Sequence, residues 1–324
     1  MILLPFLVGC EEAAPATSES AEIAELLARI ETLEARLADV EQGANPSTDV
    51  SNMSDNPLRL EDVMYLNSNG DLVIQGVNVY INSGFMEESE FDQKGNLIIG
   101  PTTYNENIDG AHNLVVGKEH VVSGYYGIVS GVSHDVQGIG SAVISGRGNT
   151  IENDHSVIIG GRQNVITSIF SAVNGGEENL IEGKFSSIGG GYGNMVYGEH
   201  ATVAGGYQNR ADAFTSSIAG GGGNRVTGVG GLVAGGFANH AEGNSSFIAG
   251  GSFNRAIGDY NPTVIGGYQN LSNGNNSTSV GGQYNISSGD YSLSAGGSNN
   301  QANGNNSTAM GGSNKMVLDP NASE

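Results

Sequence analysis

Tryptophan does not occur in this chain of 324 residues, cysteine occurs once, and 12 basic residues stand against 34 acidic ones. Each scarcity excludes something. One cysteine leaves no intrachain disulfide framework and no thiolate metal cluster. A net charge of −22 repels phosphate backbones, so no nucleic-acid partner is expected. With 9 Phe, 12 Tyr and few other large apolar groups, one thick globular core is not expected either. Glycine, by contrast, supplies 52 residues, far above its usual share of about 7%. Yet 38% of the chain is apolar and periodic, which argues against simple disorder. A solenoid or fibre remains.

The period is plain from Gly160-Gly161 to Gly311-Gly312, where a Gly-Gly pair recurs every 15 residues with one insertion near Pro262. With the second Gly as position zero, Asn stands at +3: Asn164, Asn179, Asn194, Asn209, Asn224, Asn239, Asn254, Asn270, Asn285 and Asn300. Small or branched residues stand at +5 (Ile166, Val196, Ala241), Gly usually at +7 and Ser often at +10. Position +12 is apolar through most of the array (Val173, Ile218, Val264), then Ser279, Ser294 and Ala309. Within each half-coil the marked residues alternate at period two, as in a strand with one inward face. Neither short strand buries its face alone, so coils must stack, with the Asn column as an inward hydrogen-bonded ladder.

This pattern, two G-x-x-[NS]-x-[AIV]-x-G halves plus one Gly, resembles the head of YadA-like trimeric autotransporter adhesins over residues 111–316. The resemblance implies an all-β, left-handed parallel β-roll, homotrimeric about a threefold axis and continuous with a coiled coil, and so a self partner. The family's coils have 14 residues; these have 15. Its anchor is a C-terminal membrane barrel, for which 316–324 (MVLDPNASE) offers no strands. The stalk here also precedes the head, so self-translocation is not implied.

The apolar run Met1–Cys10 (MILLPFLVGC) resembles the lipobox of bacterial lipoproteins, although no basic residue precedes it. That resemblance implies lipid attachment at Cys10 and a place in the bacterial cell envelope, at the outer membrane and surface-exposed. The small, polar stretch 11–20 reads as a flexible tether. Then Ile23, Leu26, Ile30, Leu33, Leu37 and Val40 follow 3-4-3-4-3 spacing, the a/d seam of a parallel coiled-coil stalk over 21–42. Gly43 and Pro46 open a linker, 43–62. Residues 63–110 read as a β collar with irregular lead-in coils, 111–316 as the roll, and 317–324 as a tail.

Chemistry is scarce, and the chain reads as non-catalytic, without cofactor or metal. The six His show no metal-ligand spacing. His155 and His200 share one column three coils apart, as solvated turn residues or, about a threefold axis, as a three-His site. Glu177 and Glu178 are neighbours that point apart on an extended chain, so they make no acid/base pair. Aromatics gather just after the Gly pair (Tyr192, Tyr207, Phe237, Phe253, Tyr268, Tyr284), as a self-stacking ladder or as contacts for sugar rings or peptides. The expected function is a lipid-anchored trimeric surface fibre, adhesin-like or structural, whose host, matrix or glycan ligand is unspecified. The alternatives are a phage-type tail spike or β-solenoid acting on polysaccharide, and an ice-binding solenoid. The +11 column (Val157, Ala172, Ser187, Thr202) lacks the Thr regularity an ice lattice needs.

Overall fold

The computed structural model describes residues 27–31, 64–66, 72–74, 79, 95–101 and 107–318. The chain divides into two units, Met1–Val79 and Tyr80–Glu324. In the first, 27–31 are helical and exposed, and Ile30 belongs to them. Cys10, the tether and the other five seam residues lie outside the described residues. Strands β1 (Met64–Leu66) and β2 (Leu72–Ile74) form an antiparallel pair in which Tyr65 faces Val73.

The second unit is a parallel β-solenoid. It opens with β3 (Leu97–Ile99), β4 (Asn107–Ile108), β5 (Leu114–Lys118), β6 (Val121–Val122), β7 (Ile128–Val132), β8 (Asp135–Val136), β9 (Ala142–Val143) and β10 (Thr150–Ile151). The alternation continues to β31 (Thr308–Met310) and β32 (Met316–Val317). Odd strands from β3 build one 15-stranded sheet and even strands from β4 the other. Most strands are two residues long, too short to pair as hairpins. Each instead pairs in parallel with its equivalent one coil on, as Val165 with Leu180 and Ile166 with Ile181. From β5 on, the second residue of each strand points inward. Ile151, Ile166, Ile181 and Val196 on the even sheet and Ile158, Val173, Ile188 and Val203 on the odd sheet are fully buried.

Coil length changes along the stack. Leu114 pairs with Ile128 and Ile128 with Ala142, a 14-residue register, while Ala142 pairs with Val157, a 15-residue one. The added residue lies between Val143 and Gly146, since Val129 pairs with Val143 but Val132 with Arg147. It acts as a bulge at that corner. Where it is absent, β5 and β7 run straight for five residues. Where it is present, the odd strand stops after two residues as far as Phe247–Ile248 and after three from Thr263–Ile265 on, and isolated bridges resume at Arg147, Arg162 and their successors. The insertion near Pro262 sits at the opposite corner: Arg255 still pairs 15 residues back with His240, while Phe247 pairs 16 on with Thr263.

The interior also changes character. A continuous apolar column runs from Val115 to Val264. Beyond it Ser272, Ser279, Ser287 and Ser294 fill the inward sites; Ser272 bonds to Ser277 at 2.6 Å, and the other three bond to one another, as Ser279 to Ser294 at 3.0 Å and Ser287 to Ser294 at 2.7 Å. A small apolar cluster of Ala302, Ala309 and Val317 follows.

Candidate functional site

The predicted Asn column is inward and fully buried from Asn164 to Asn300. Each Oδ1 accepts the backbone N–H of the next Asn, at 2.9–3.1 Å along the whole column. Each Nδ2 donates to the first Gly carbonyl of its own coil and to the second Gly carbonyl of the next, as Asn194 does to Gly190 and Gly206. The ladder is therefore chiefly side chain to backbone. Upstream the same column holds Asn149, His134 and His120. Asn149 N–H donates to His134 Nδ1 at 3.1 Å, and His134 N–H to His120 Nδ1 at 3.3 Å. Counting back from Asn149 by 15 and then 14 residues would have located both histidines.

The aromatics after the Gly pair line one corner in two groups. Tyr192 and Tyr207 are stacked with centroids 5.6 Å apart. Gly222 interrupts the column. Phe237, Phe253, Tyr268 and Tyr284 then zigzag edge to face at 5.7, 5.8 and 5.7 Å. Glu178 hydrogen-bonds the Tyr192 hydroxyl and pushes its ionisation above the usual phenol range. Glu177 instead pairs with Arg162, so the two carboxylates do separate.

Beside that corner the outward face of the even sheet carries a cationic column. It comprises Arg210 on β18 (Arg210–Ala211), Arg225 on β20 (Arg225–Val226), His240 on β22 (His240–Ala241) and Arg255 on β24 (Arg255–Ala256). Two carboxylates are shared among the four. Asp212 meets Arg210 at 2.5 Å and Arg225 at 2.8 Å, and Glu242 meets His240 at 3.1 Å and Arg255 at 2.6 Å. The Arg210 guanidinium also lies 4.6 Å over the Tyr197 ring. Burial lowers the His240 pKa, with Arg225 and Arg255 acting in the same direction against Glu242. Arg255 stands at one end of a cleft of about 340 Å³, walled by Phe253 and Tyr284, floored by Leu271 and Ile286, and lined further by Gln269 and Asn270.

The opposite corner carries a ring stack that sequence reading missed. His155, Phe170, Phe185 and His200 stack at 5.0, 5.2 and 5.0 Å, each with φ near +55°. His155 and His200 are thus the first and last of four stacked rings, and His200 also meets Phe214 edge to face at 5.6 Å. The signal was their shared 15-residue spacing with Phe170 and Phe185. Among the described residues no group of three or more His, Cys, Asp or Glu is placed to hold a metal ion, and no helix is long and apolar enough to cross a membrane. No family model matches the chain, and no curated protein is significantly similar to it.

Proposed function

We propose that this chain is a lipid-anchored, trimeric surface fibre of the bacterial envelope, non-catalytic, whose repetitive head binds or spaces. The observation that carries the self-association is bare backbone at the first Gly of three pairs, whereas Gly190, Gly235, Gly250 and the first glycines from Gly266 to Gly311 have a positive φ that itself favours glycine. A Cβ at Gly175 or Gly220 would meet nothing within 4 Å, and one at Gly205 only a carbonyl oxygen at 3.9 Å. None of the three has a positive φ, and the equivalent residue in an earlier coil is Ser145. Nothing within the chain's own coil requires glycine there. A glycine that its own backbone does not require can mark close approach by another backbone, and a second copy of the roll fits that description.

For binding, the supporting feature is the aromatic corner with its cleft between Phe253 and Tyr284 and the arginine column beside it. Rings repeated along an axis suit many weak, similar contacts, which gain strength through multivalency. The test is the sedimentation mass of a soluble protein spanning residues 11–324, alongside one lacking 11–46. Trimers in both are expected, and the variant Gly175→Leu/Gly205→Leu/Gly220→Leu should remain folded while becoming monomeric. A monomeric wild-type head would remove the trimer from the reading.

A further inference from the structure

His134 occupies a ladder position at which later coils have Asn, and the two residues differ in one respect that matters. An amide Oδ1 accepts a hydrogen bond at any pH, whereas an imidazole Nδ1 accepts only while unprotonated. Both Nδ1 atoms in the His120–His134 pair are acceptors, which fixes each ring as the neutral Nε2–H tautomer. His120 Nε2 lies 3.3 Å from the Val116 carbonyl, a donor's geometry. The buried Nε2 of His134 has no hydrogen-bond partner. The rings are stacked at 5.4 Å with 14° between planes, and both residues are buried to 1% exposure or less.

Among the described residues, His120 is the titratable group that faces His134. The charged residues nearby stand outside the corner. Lys118 pairs with Glu119 at 3.4 Å, Ser133 donates to Glu119 at 2.8 Å, and Asp135 and Arg147 follow on the surface. Among the described residues no carboxylate reaches in to stabilise an imidazolium. Burial, followed by the neighbouring His120, holds the His134 pKa down at about 4, against an ordinary 6.5, with the Ser130, Asn149 and Gly146 backbone offsetting only part of this.

We propose that His134 makes the lead-in coils of the head an acid-released segment: when its ring takes a proton, the rung to Asn149 is lost and strands β3 to β8 separate from the Asn-laddered stack, which stays folded. A histidine whose proton affinity is depressed by folding leaves stability untouched above pH 6.5. As pH falls below that value the opened segment takes the proton and the closed one does not, so closure weakens until about pH 4. Every later rung is an amide, so the ladder itself titrates only at this end.

The experiment is hydrogen exchange by mass spectrometry on the full chain from pH 7.5 to 4, corrected for intrinsic rates. Protection in peptides from 107–136 should fall on the order of 10²-fold across the window while that in 150–260 persists. The double variant His120→Asn/His134→Asn should keep its lead-in protection at pH 4. Equal loss in wild type and variant, or no loss in wild type, overturns the proposal. So does a variant that fails to fold at pH 7.5, because Asn would then not replace these rungs. Nitrogen-15 NMR of the wild-type histidines gives a second reading: His134 Nδ1 titrating near 6.5 would refute the buried acceptor.

Discussion

The backbone N–H of Asn224 donates to the Oδ1 of Asn209 at 3.0 Å, and the Nδ2 of Asn209 reaches the carbonyls of Gly205 and Gly221, each at 3.0 Å. One side chain thereby satisfies three backbone groups in two coils, all within a narrow interior where water cannot substitute for it.

Substituting one mid-column Asn should therefore be severe for its size. Asn224→Ala leaves the Asn239 N–H and the Gly220 carbonyl without their partner, while the Gly236 carbonyl keeps the Gly222 N–H at 2.9 Å. A buried group stranded in this way costs about 1–3 kcal/mol, so the two together should cost about 2–6 kcal/mol. Asn224→Asp should be at least as damaging, since a carboxylate accepts but cannot donate to the two carbonyls. Urea unfolding, with hydrogen exchange to localise the loss around 209–239, measures both.

Two adjacent glycines should respond in opposite ways. A Cβ on Gly221 would fall 2.1 Å from the Gly236 carbonyl and 2.7 Å from Asn224 Nδ2, at φ +85°. Gly220 has open space and no such φ. Gly221→Ala should cost about 3 kcal/mol or more through strain and overpacking. Gly220→Ala should leave the fold intact within about 1 kcal/mol. Thermal melts of the two variants side by side decide the matter.

Stability should also vary along the head. The coils from Val115 to Val264 bury an apolar column, whereas beyond it Ser272 buries a hydroxyl bonded to Ser277, and Ser279, Ser287 and Ser294 bury hydroxyls bonded to one another. Apolar burial supplies most of the driving force for folding, and neutral hydrogen bonds contribute little net. On heating at neutral pH, exchange protection should be lost from 264–317 before 150–260. Ile218→Ala should cost about 2–5 kcal/mol, against about 1–2 kcal/mol for Ser279→Ala.

Asp212 serves two guanidinium groups at once. Asp212→Asn leaves Arg210 and Arg225 facing each other on neighbouring strands. Because both arginines are largely exposed, the loss should be no more than about 1 kcal/mol and should shrink in high salt. Denaturation at low and high ionic strength measures it.

The stack and its inward columns were legible because a period of 15 residues fixes which side chains recur at one place. The two-strand coil followed from the period-two alternation within each half, Asn164 with Ile166 and Ser171 with Val173. Three features were hidden for physical reasons. The bulge between Val143 and Gly146 adds a residue without altering composition, so its corner is set only by pairing. His120 and His134 do an amide's work with a different functional group and in 14-residue coils. The His155–Phe170–Phe185–His200 stack joins residue types usually read separately, and its left-handed backbone at Phe170 and Phe185 runs against ordinary preference.

Because each coil offers the next the surface it received from the last, length is unconstrained by closure. A barrel must return to its first strand; this head need not. Excising residues 206–220 would set Gly221 where Gly206 stood and leave every column in phase, shortening the rod by one sheet spacing, about 4.8 Å. Duplication of the same segment would lengthen it equally. Reach can thus be adjusted in whole-coil increments by gene rearrangement alone, with no new packing to invent, and the head behaves as a ruler graduated in fifteens.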